Sequence, residues 1–334
     1  MKAYEINEFG IDNLTLTDRP EPEPAAGEVV VRFRAASLNY RDLMMIKGVY
    51  NPKLQRPLVP FSDGAGEVTA VGEGVTKWKP GDRVMPIFMQ GWLDGEIDYR
   101  KARTALGGDT DGVLREAGAF HEDGLVCVPD HLSNEEAAAL PCAAVTAHHA
   151  LMVSGRMRAD DSILLQGTGG VSIFALQFAS VYGCRVFVIS SSDEKLERAR
   201  ALGADDLINY RATPDWDQTI IDATERRGVD HVVEVGGAGT LQKSINAVKM
   251  GGHIALIGAL AGRGEFNPTS VLMKSVRLQG IFVGSRQMFE DMNRLICQHG
   301  LKPVIDRVYE FGEVKEALRC MESGSHFGKI VVRI

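Results

Sequence analysis

The chain is expected to be an α/β protein, with a β-barrel-like part followed by a parallel sheet covered by helices on both faces. Three observations carry this. Short strand-like runs punctuated by Gly and Pro fill the first third. From Asp160 onward, apolar runs of strand length alternate with helical segments. Between the first such strand and the first such helix lies Gly167-Thr168-Gly169-Gly170-Val171-Ser172. Evenly spaced short strands suit a barrel, and strand–helix alternation implies a doubly wound parallel sheet.

Taken in order, Gly27–Ala35 alternates in the strand manner after Pro20-Glu21-Pro22-Glu23-Pro24. Asp63–Gly72 and Pro80–Met85 read as further short strands. Residues Gln90–Gly118 are polar, Gly-rich and poorly periodic, and read as a long excursion. This first part reads as all-β with turns. At Ser133-Asn134-Glu135-Glu136 the S-x-x-E spacing of a capping box precedes an Ala-rich helix. Strands are then expected at Ser162–Gln166, Arg185–Ser190, Asp206–Ile208, Asp230–Val235, Gly252–Gly258 and Val276–Val283. The clearest helices between them are Val171–Tyr182 and Glu194–Leu202. From about Arg286 the chain returns to a helix, turn and strand mixture that ends at Lys329–Ile334.

Bulk properties exclude several classes of function. With 334 residues, 45% hydrophobic and 24% charged, the chain suits two ordinary globular domains. A net charge of −7, a pI near 5.7 and the lack of a basic stretch leave no surface for nucleic acid. No apolar run approaches the roughly 18 residues of a membrane span. The start at Met1-Lys2-Ala3-Tyr4-Glu5 carries no apolar signal region. Cys127, Cys142, Cys184, Cys297 and Cys320 are scattered and never form C-x-x-C, so neither a disulfide framework nor a zinc ribbon is indicated. A cytoplasmic protein acting on a small molecule is the expectation. The histidines suggest no separate site, since His148 and His149 are adjacent and cannot share a helix face.

The glycine turn carries the chemistry. Glycines let the chain reverse tightly and let its backbone approach a pyrophosphate, while the following helix offers free N–H groups and the positive end of its dipole. Ser172 stands where a third glycine is usual and is still small enough for close packing. At the end of the second strand, an NAD-preferring site places an acidic residue against the ribose hydroxyls. Here that strand ends in Ser190, Ser191 and Ser192, with Lys195 one helical turn on, a set that suits a 2′-phosphate. NADP(H) is therefore favoured over NAD(H). Ser191 and Glu194 also have capping-box spacing, and Lys195 reads equally as a solvated helix residue.

By these features the sequence resembles the medium-chain dehydrogenase/reductase superfamily. The matching stretches are Ala36–Asp42, Gly64–Val68, Leu140–Ala147, the glycine turn and Asp193–Leu196. The resemblance implies a GroES-like catalytic domain over residues 1–128 and 286–334, split around a Rossmann domain over 129–285. It also implies where zinc would sit in alcohol dehydrogenases of the superfamily. The Cys, His-Glu and Cys positions there correspond to Asn39, Ser62-Asp63 and Cys142. Neutral Asn39 and Ser62 are poor ligands for a metal that needs three good ones. The cysteine-rich lobe of a structural zinc is replaced by the Gln90–Gly118 excursion. No zinc is expected.

The same resemblance points to a zinc-free branch that delivers hydride to quinones or to α,β-unsaturated carbonyl compounds. Candidate catalytic groups are Tyr50, at a position that carries an acid-donor tyrosine in enoyl thioester reductases, and Tyr40 and Asn39, where the metal site is lost. Either tyrosine could instead pack a wall, and Asp42 reads as a buttress of its loop. Thr146 looks like a nicotinamide contact and Tyr210 like a flank of the adenosine phosphate. Gly236, Gly258, Phe282, Val283 and Gly284 fall at or near strand ends, where open α/β sheets bind ligands, though each could equally be turn or core. A homodimer is expected, with Val276–Val283 pairing across a two-fold axis. The competing readings are an alcohol dehydrogenase and a non-catalytic dinucleotide-binding protein.

Overall fold

The computed structural model describes residues 1–258 and 264–334. The first strands are β1 (Lys2–Ile6), β2 (Leu14–Asp18), β3 (Glu28–Ser37), β4 (Asp63–Val71), β5 (Arg83–Pro86), β6 (Ala117–His121) and β7 (Leu125–Cys127), with helices α1 (Tyr40–Ile46) and α2 (Tyr99–Ala102) between them. Helices α3 (Asn134–Ala138) and α4 (Val145–His148) then lead into an alternating series. It runs β8 (Ser162–Gln166), α5 (Gly170–Val181), β9 (Arg185–Ser190), α6 (Asp193–Ala201), β10 (Asp206–Asn209), α7 (Trp216–Ala223), β11 (Val229–Glu234), α8 (Leu241–Ala247), β12 (Val248–Leu256), α9 (Pro268–Met273) and β13 (Arg277–Gly280). The chain closes with α10 (Arg286–His299), β14 (Ile305–Glu310), α11 (Val314–Ser323) and β15 (Lys329–Arg333).

Two compact units result, Met1–Val145 with Gly284–Ile334, and Thr146–Val283. The first is built on a GroES-like mixed sheet ordered β14-β15-β3-β4-β5-β7, with β6 also paired to β3. Its core joins Val29, Val31 and Phe33 of β3 to Leu43 and Ile46 of α1, Val314 and Leu318 of α11, and Ile330 and Val332 of β15. Gly66 permits the close approach of β3 and β4, because a Cβ there would fall 2.2 Å from the Arg32 carbonyl oxygen.

Two expectations for this unit need correction. Residues 40–46 are helical, where an all-β reading had left turns. Asn39 sits at the N-cap, its N–H donates to Asp42 Oδ2 at 2.8 Å, and Leu43 and Ile46 face the core. A single helix of two turns is too short for its periodicity to stand out among strands. The excursion at 90–118 is anchored on the core: Trp92, Leu106, Val113 and Leu114 are buried and Met89 bridges to Ala105. Finally, residues 129–145 pack with the first unit, since α3 lies against β3, β4 and β15. The capping box at Ser133 is real, but it marks the start of a helix and not a domain boundary. The boundaries fall at Val145/Thr146 and Val283/Gly284.

The second unit is a Rossmann sheet of six parallel strands ordered β10-β9-β8-β11-β12-β13. Strands β8 and β11 are buried along their whole length, as strands covered on both faces must be. The order reverses between β8 and β11, which defines the switch point outside whose carboxyl ends such sheets bind ligands. The last strand is shorter than expected: its ladder ends at Gly280, and Val283 beyond it has φ of 52°. Among the described residues, no helix is long and apolar enough to cross a membrane.

Candidate active site

All six strands of the second unit are parallel, so their carboxyl ends line one edge. The turn after β8 opens with Gly167 at φ of 70°, its N–H donating to the Ile189 carbonyl at 2.7 Å. A Cβ at Gly167 or at Gly169 would meet nothing within 4 Å, so the turn leaves open space that a ligand can approach. Gly169 is the N-cap of α5 and brings no side-chain acceptor, and the first-turn N–H groups of a helix have no intrahelical partner. Thr168 is buried behind the turn, and Gly170 and Val171 begin the helix. Ser172 does more than fit: its hydroxyl donates to the Gln166 carbonyl at 2.6 Å and ties the helix to the strand end. This cradle fits the pyrophosphate of a dinucleotide.

Along the same edge, β9 ends in buried Ser190, whose Oγ accepts from the Ser192 N–H at 3.4 Å. The capping residue of α6 is Ser192, which accepts from the Lys195 N–H at 3.3 Å. The Ser191–Glu194 pairing expected from spacing is therefore displaced by one residue. Ser191 lies between the two, and Lys195 belongs to the first turn of α6. Tyr210 follows β10, with its N–H on the Ser190 carbonyl at 3.0 Å and its ring partly exposed.

A buried network that the sequence did not signal stiffens the next strand end. Glu234 Oε1 accepts from the N–H groups of Gly236 and Gly237, both at 2.9 Å, and from Thr240 Oγ1. Its Oε2 accepts from Gln166 Nε2 at 2.7 Å and from the Ser244 hydroxyl. Gly258 must be glycine, because a Cβ would lie 2.0 Å from the Val235 carbonyl oxygen. Beyond β13, Phe282 is partly exposed and Val283 is held in its left-handed conformation by His149, whose Nδ1 donates to the Val283 carbonyl at 2.7 Å. A β-branched residue there carries backbone strain of about 1–3 kcal/mol. Thr146 and Gly284 fall at the two unit boundaries, Thr146 buried on α4.

The first unit carries Asn39, Tyr40 and Tyr50. The tyrosines are 43% and 47% exposed, and the Arg41 guanidinium lies 5.7 Å from the Tyr50 ring centre. Asn39 is part of a closed buried cluster. Its Nδ2 donates to Ser62 Oγ at 3.3 Å, and Ser62 Oγ donates to Asp63 Oδ1 at 2.7 Å. Asp63 Oδ2 accepts the Cys142 N–H at 3.0 Å. Lys329, unnoticed in the sequence, completes the cluster: its Nζ donates to Asn39 Oδ1 at 2.6 Å and to the Leu38 carbonyl at 2.8 Å.

The four positions where zinc would be sought therefore converge, but their chemistry does not suit it. Asn39 and Ser62 are neutral, and an ammonium group already stands among them. Burial, reinforced by Asp63, pushes the Cys142 thiol well above its ordinary value, away from the thiolate that zinc requires. Burial also raises the Asp63 carboxyl, while Lys329 and the Ser62 hydroxyl pull it the other way. Among the described residues, no group of three or more His, Cys, Asp or Glu side chains is placed to hold a metal ion.

A two-unit chain with a dinucleotide cradle on one unit and a metal-poor polar cluster on the other defines a nicotinamide-dependent dehydrogenase or reductase. Comparison with known proteins agrees. The zinc-binding dehydrogenase family matches residues 170–298, and the alcohol dehydrogenase GroES-like domain family matches residues 25–130. A zinc-type alcohol dehydrogenase-like protein of Schizosaccharomyces pombe is 44% identical over 97% of this chain and 96% of its own length. An acryloyl-coenzyme A reductase of Metallosphaera sedula is 28% identical over 93% of this chain and 94% of its own. The solved structure of an NAD-dependent alcohol dehydrogenase superposes with a TM-score of 0.90 at 34% identity, covering 100% of both chains. The chain belongs to the medium-chain dehydrogenase/reductase superfamily and is an NAD(P)H-dependent oxidoreductase.

One group beside the cluster yields a pH prediction. Burial pushes the Asp42 carboxyl up to about 7, opposed by Arg41 and by the Asn39 N–H. A raised carboxyl stabilises the fold fully below the ordinary carboxylate range, and this is lost as pH rises through the raised value. Asp42→Asn keeps the acceptor for the Asn39 N–H and removes the titration. The stability of wild type relative to Asp42→Asn is therefore expected to fall between about pH 4 and pH 8, by up to about 4 kcal/mol. Thermal melts of both proteins across that range check it. A difference that does not change with pH contradicts it.

Proposed function

We infer that the chain reduces a quinone or an α,β-unsaturated carbonyl compound, with NADPH preferred over NADH. The observation that carries this is the cluster of Asn39, Ser62, Asp63 and Lys329, which puts an ammonium and neutral donors where alcohol oxidation would need a Lewis acid. A conjugated acceptor places its developing charge on an oxygen remote from the attacked carbon, where hydrogen-bond donors suffice. The donors available are the Asn39 amide and the phenol O–H groups of Tyr40 and Tyr50. When bound, the reduced nicotinamide supplies the hydride. The acceptor gains that hydride and one proton, for which Tyr50 is the favoured source.

In this reading Gly167, Thr168, Gly169, Gly170 and Val171 cradle the pyrophosphate, and Ser190, Ser191, Ser192 and Lys195 take the 2′-phosphate. Tyr210 flanks the adenosine. Thr146, Gly236, Gly258, Phe282, Val283 and Gly284 serve the nicotinamide half. Glu234 and Gln166 act through the Gly236–Gly237 backbone that they hold. The exposed edge of β13 suits pairing with a second copy, making a homodimer. Alcohol dehydrogenase activity remains the second reading, favoured by the names of two of the relatives.

A substrate panel decides between them. NADPH absorbance is followed with a quinone, an enone, an enoyl thioester and a simple aldehyde; consumption is expected with one of the first three, and turnover of the aldehyde alone contradicts the reading. Tyr50→Phe is expected to cut that turnover while leaving NADPH affinity intact, and unchanged turnover removes Tyr50 from the proton path. Separately, the charged hydrogen bond from Lys195 contributes about 1.5–3 kcal/mol. Lys195→Ala should thus weaken NADPH about ten- to a hundredfold and spare NADH; equal losses in calorimetric titrations would sink the 2′-phosphate assignment.

A further inference from the structure

The geometry points to Lys329 as a built-in cation that takes the place of a divalent metal, making the cluster of Asn39, Ser62 and Asp63 complete without one and closed to one. Lys329 is the first residue of β15 and its side chain is 3% exposed. Two of its three N–H donors are spent on the Leu38 carbonyl and Asn39 Oδ1, and Asp63 Oδ2 lies 3.9 Å from the same nitrogen. The backbone that carries it is held, because β15 is paired to both β14 and β3 and the Lys329 N–H is bonded to the Val304 carbonyl at 3.0 Å, while burial and the two Nζ bonds hold the side chain. The polar atoms around it then close on one another. Asn39 passes a hydrogen bond to Ser62, Ser62 passes one to Asp63, and Asp63 faces the ammonium.

This arrangement has the charge logic of a metal site with the metal replaced. A buried carboxylate needs a counter-charge, and Lys329 is the ammonium beside it. Zinc bonds oxygen at about 2.0–2.2 Å. A zinc ion bonded to the residue-39 side chain would therefore lie within about 5 Å of Nζ, against a fixed positive charge in a buried setting. Restoring ligands alone would not restore metal binding. The ammonium must leave too. The chemical consequence is that the cluster acts on a substrate only by donating hydrogen bonds, since an ammonium has no vacant coordination position. Lys329 is thus a positioning residue acting through Asn39. Whether the protein binds metal can be read without any substrate, so this inference stands or falls separately from the choice of quinone, enone or alcohol.

The test is a Co²⁺ titration followed by thiolate charge-transfer absorption. Three proteins are compared: Asn39→Cys/Ser62→His, the same pair with Lys329→Met, and the same pair with Lys329→Arg. The Met-containing triple variant is expected to bind one Co²⁺ per chain at least tenfold more tightly than the double variant. The Arg version, which keeps the charge, should bind no better than the double. Lys329→Gln in the same background removes the charge but keeps a donor for the Leu38 carbonyl, and covers the case in which the Met version does not fold. Equal Co²⁺ affinity with and without the lysine would overturn the assignment, as would failure of the folded lysine-free variants to bind Co²⁺ at all.

Discussion

Asp63 opens β4 with no solvent-exposed surface, and a carboxylate in that setting must be met by donors and by positive charge. The donors are the Ser62 hydroxyl and the Cys142 N–H; the charge is Lys329. Removing one member of such a set leaves an uncompensated buried group and costs several kcal/mol, so the cluster also pins together the segments that carry it. These are the end of β3, the start of α1, the start of β4, the helical run at Cys142 and the final strand. The chemistry that the first unit can offer follows from this constraint, because the positive charge in the cluster is an ammonium fixed on the backbone of β15.

The second unit meets a different requirement. Backbone atoms at the carboxyl edge of a parallel sheet have to stay where a long, charged dinucleotide can find them. Part of the edge does this through glycines: Gly167 and Gly169 keep space open, and Gly258 allows the close approach of its backbone to Val235. Part does it through buried polar atoms. Glu234 and Gln166, side by side on the central strands, hold the Gly236–Gly237 backbone and the Thr240 hydroxyl. At the far end His149 holds strained Val283. Rigid support of this kind costs no reorganisation when a ligand arrives.

The alternating half of the chain was legible in its sequence because its signals are local. Apolar runs of strand length, the glycine turn and the helix starts each depend on neighbours within a few residues. β8 and β9 occur where the pattern put them, and α5 and α6 within one residue. What was not legible depends on distant partners. Helix α1 is too short to declare itself, and its Asn39–Asp42 cap hides in a stretch of strands. Residues 129–145 have a helical sequence but pack on β3 and β4, so the change in composition near Ser133 is no domain boundary. The capping serine of α6 shifted from Ser191 to Ser192 because adjacent serines offer two registers. Lys329 reads as one more charged residue at the head of a terminal strand. Only its burial against Asn39 and Asp63 reveals a role, and that requires bringing the two ends of the chain together. Asn39, Ser62 and Asp63 were recognisable as a lost metal site, but the identity of the group beside them was not.

Metal-free hydride transfer to an electron-poor acceptor is the mechanism we propose. Its most direct test is the NADPH-dependent reduction rate of the purified protein, measured before and after exhaustive dialysis against dipicolinate, with the metal content of each sample determined by elemental analysis. Metal-free transfer should give the same rate in both samples, at far less than one metal ion per chain. A rate that vanishes on chelation and returns when one equivalent of Zn²⁺ is added would contradict it.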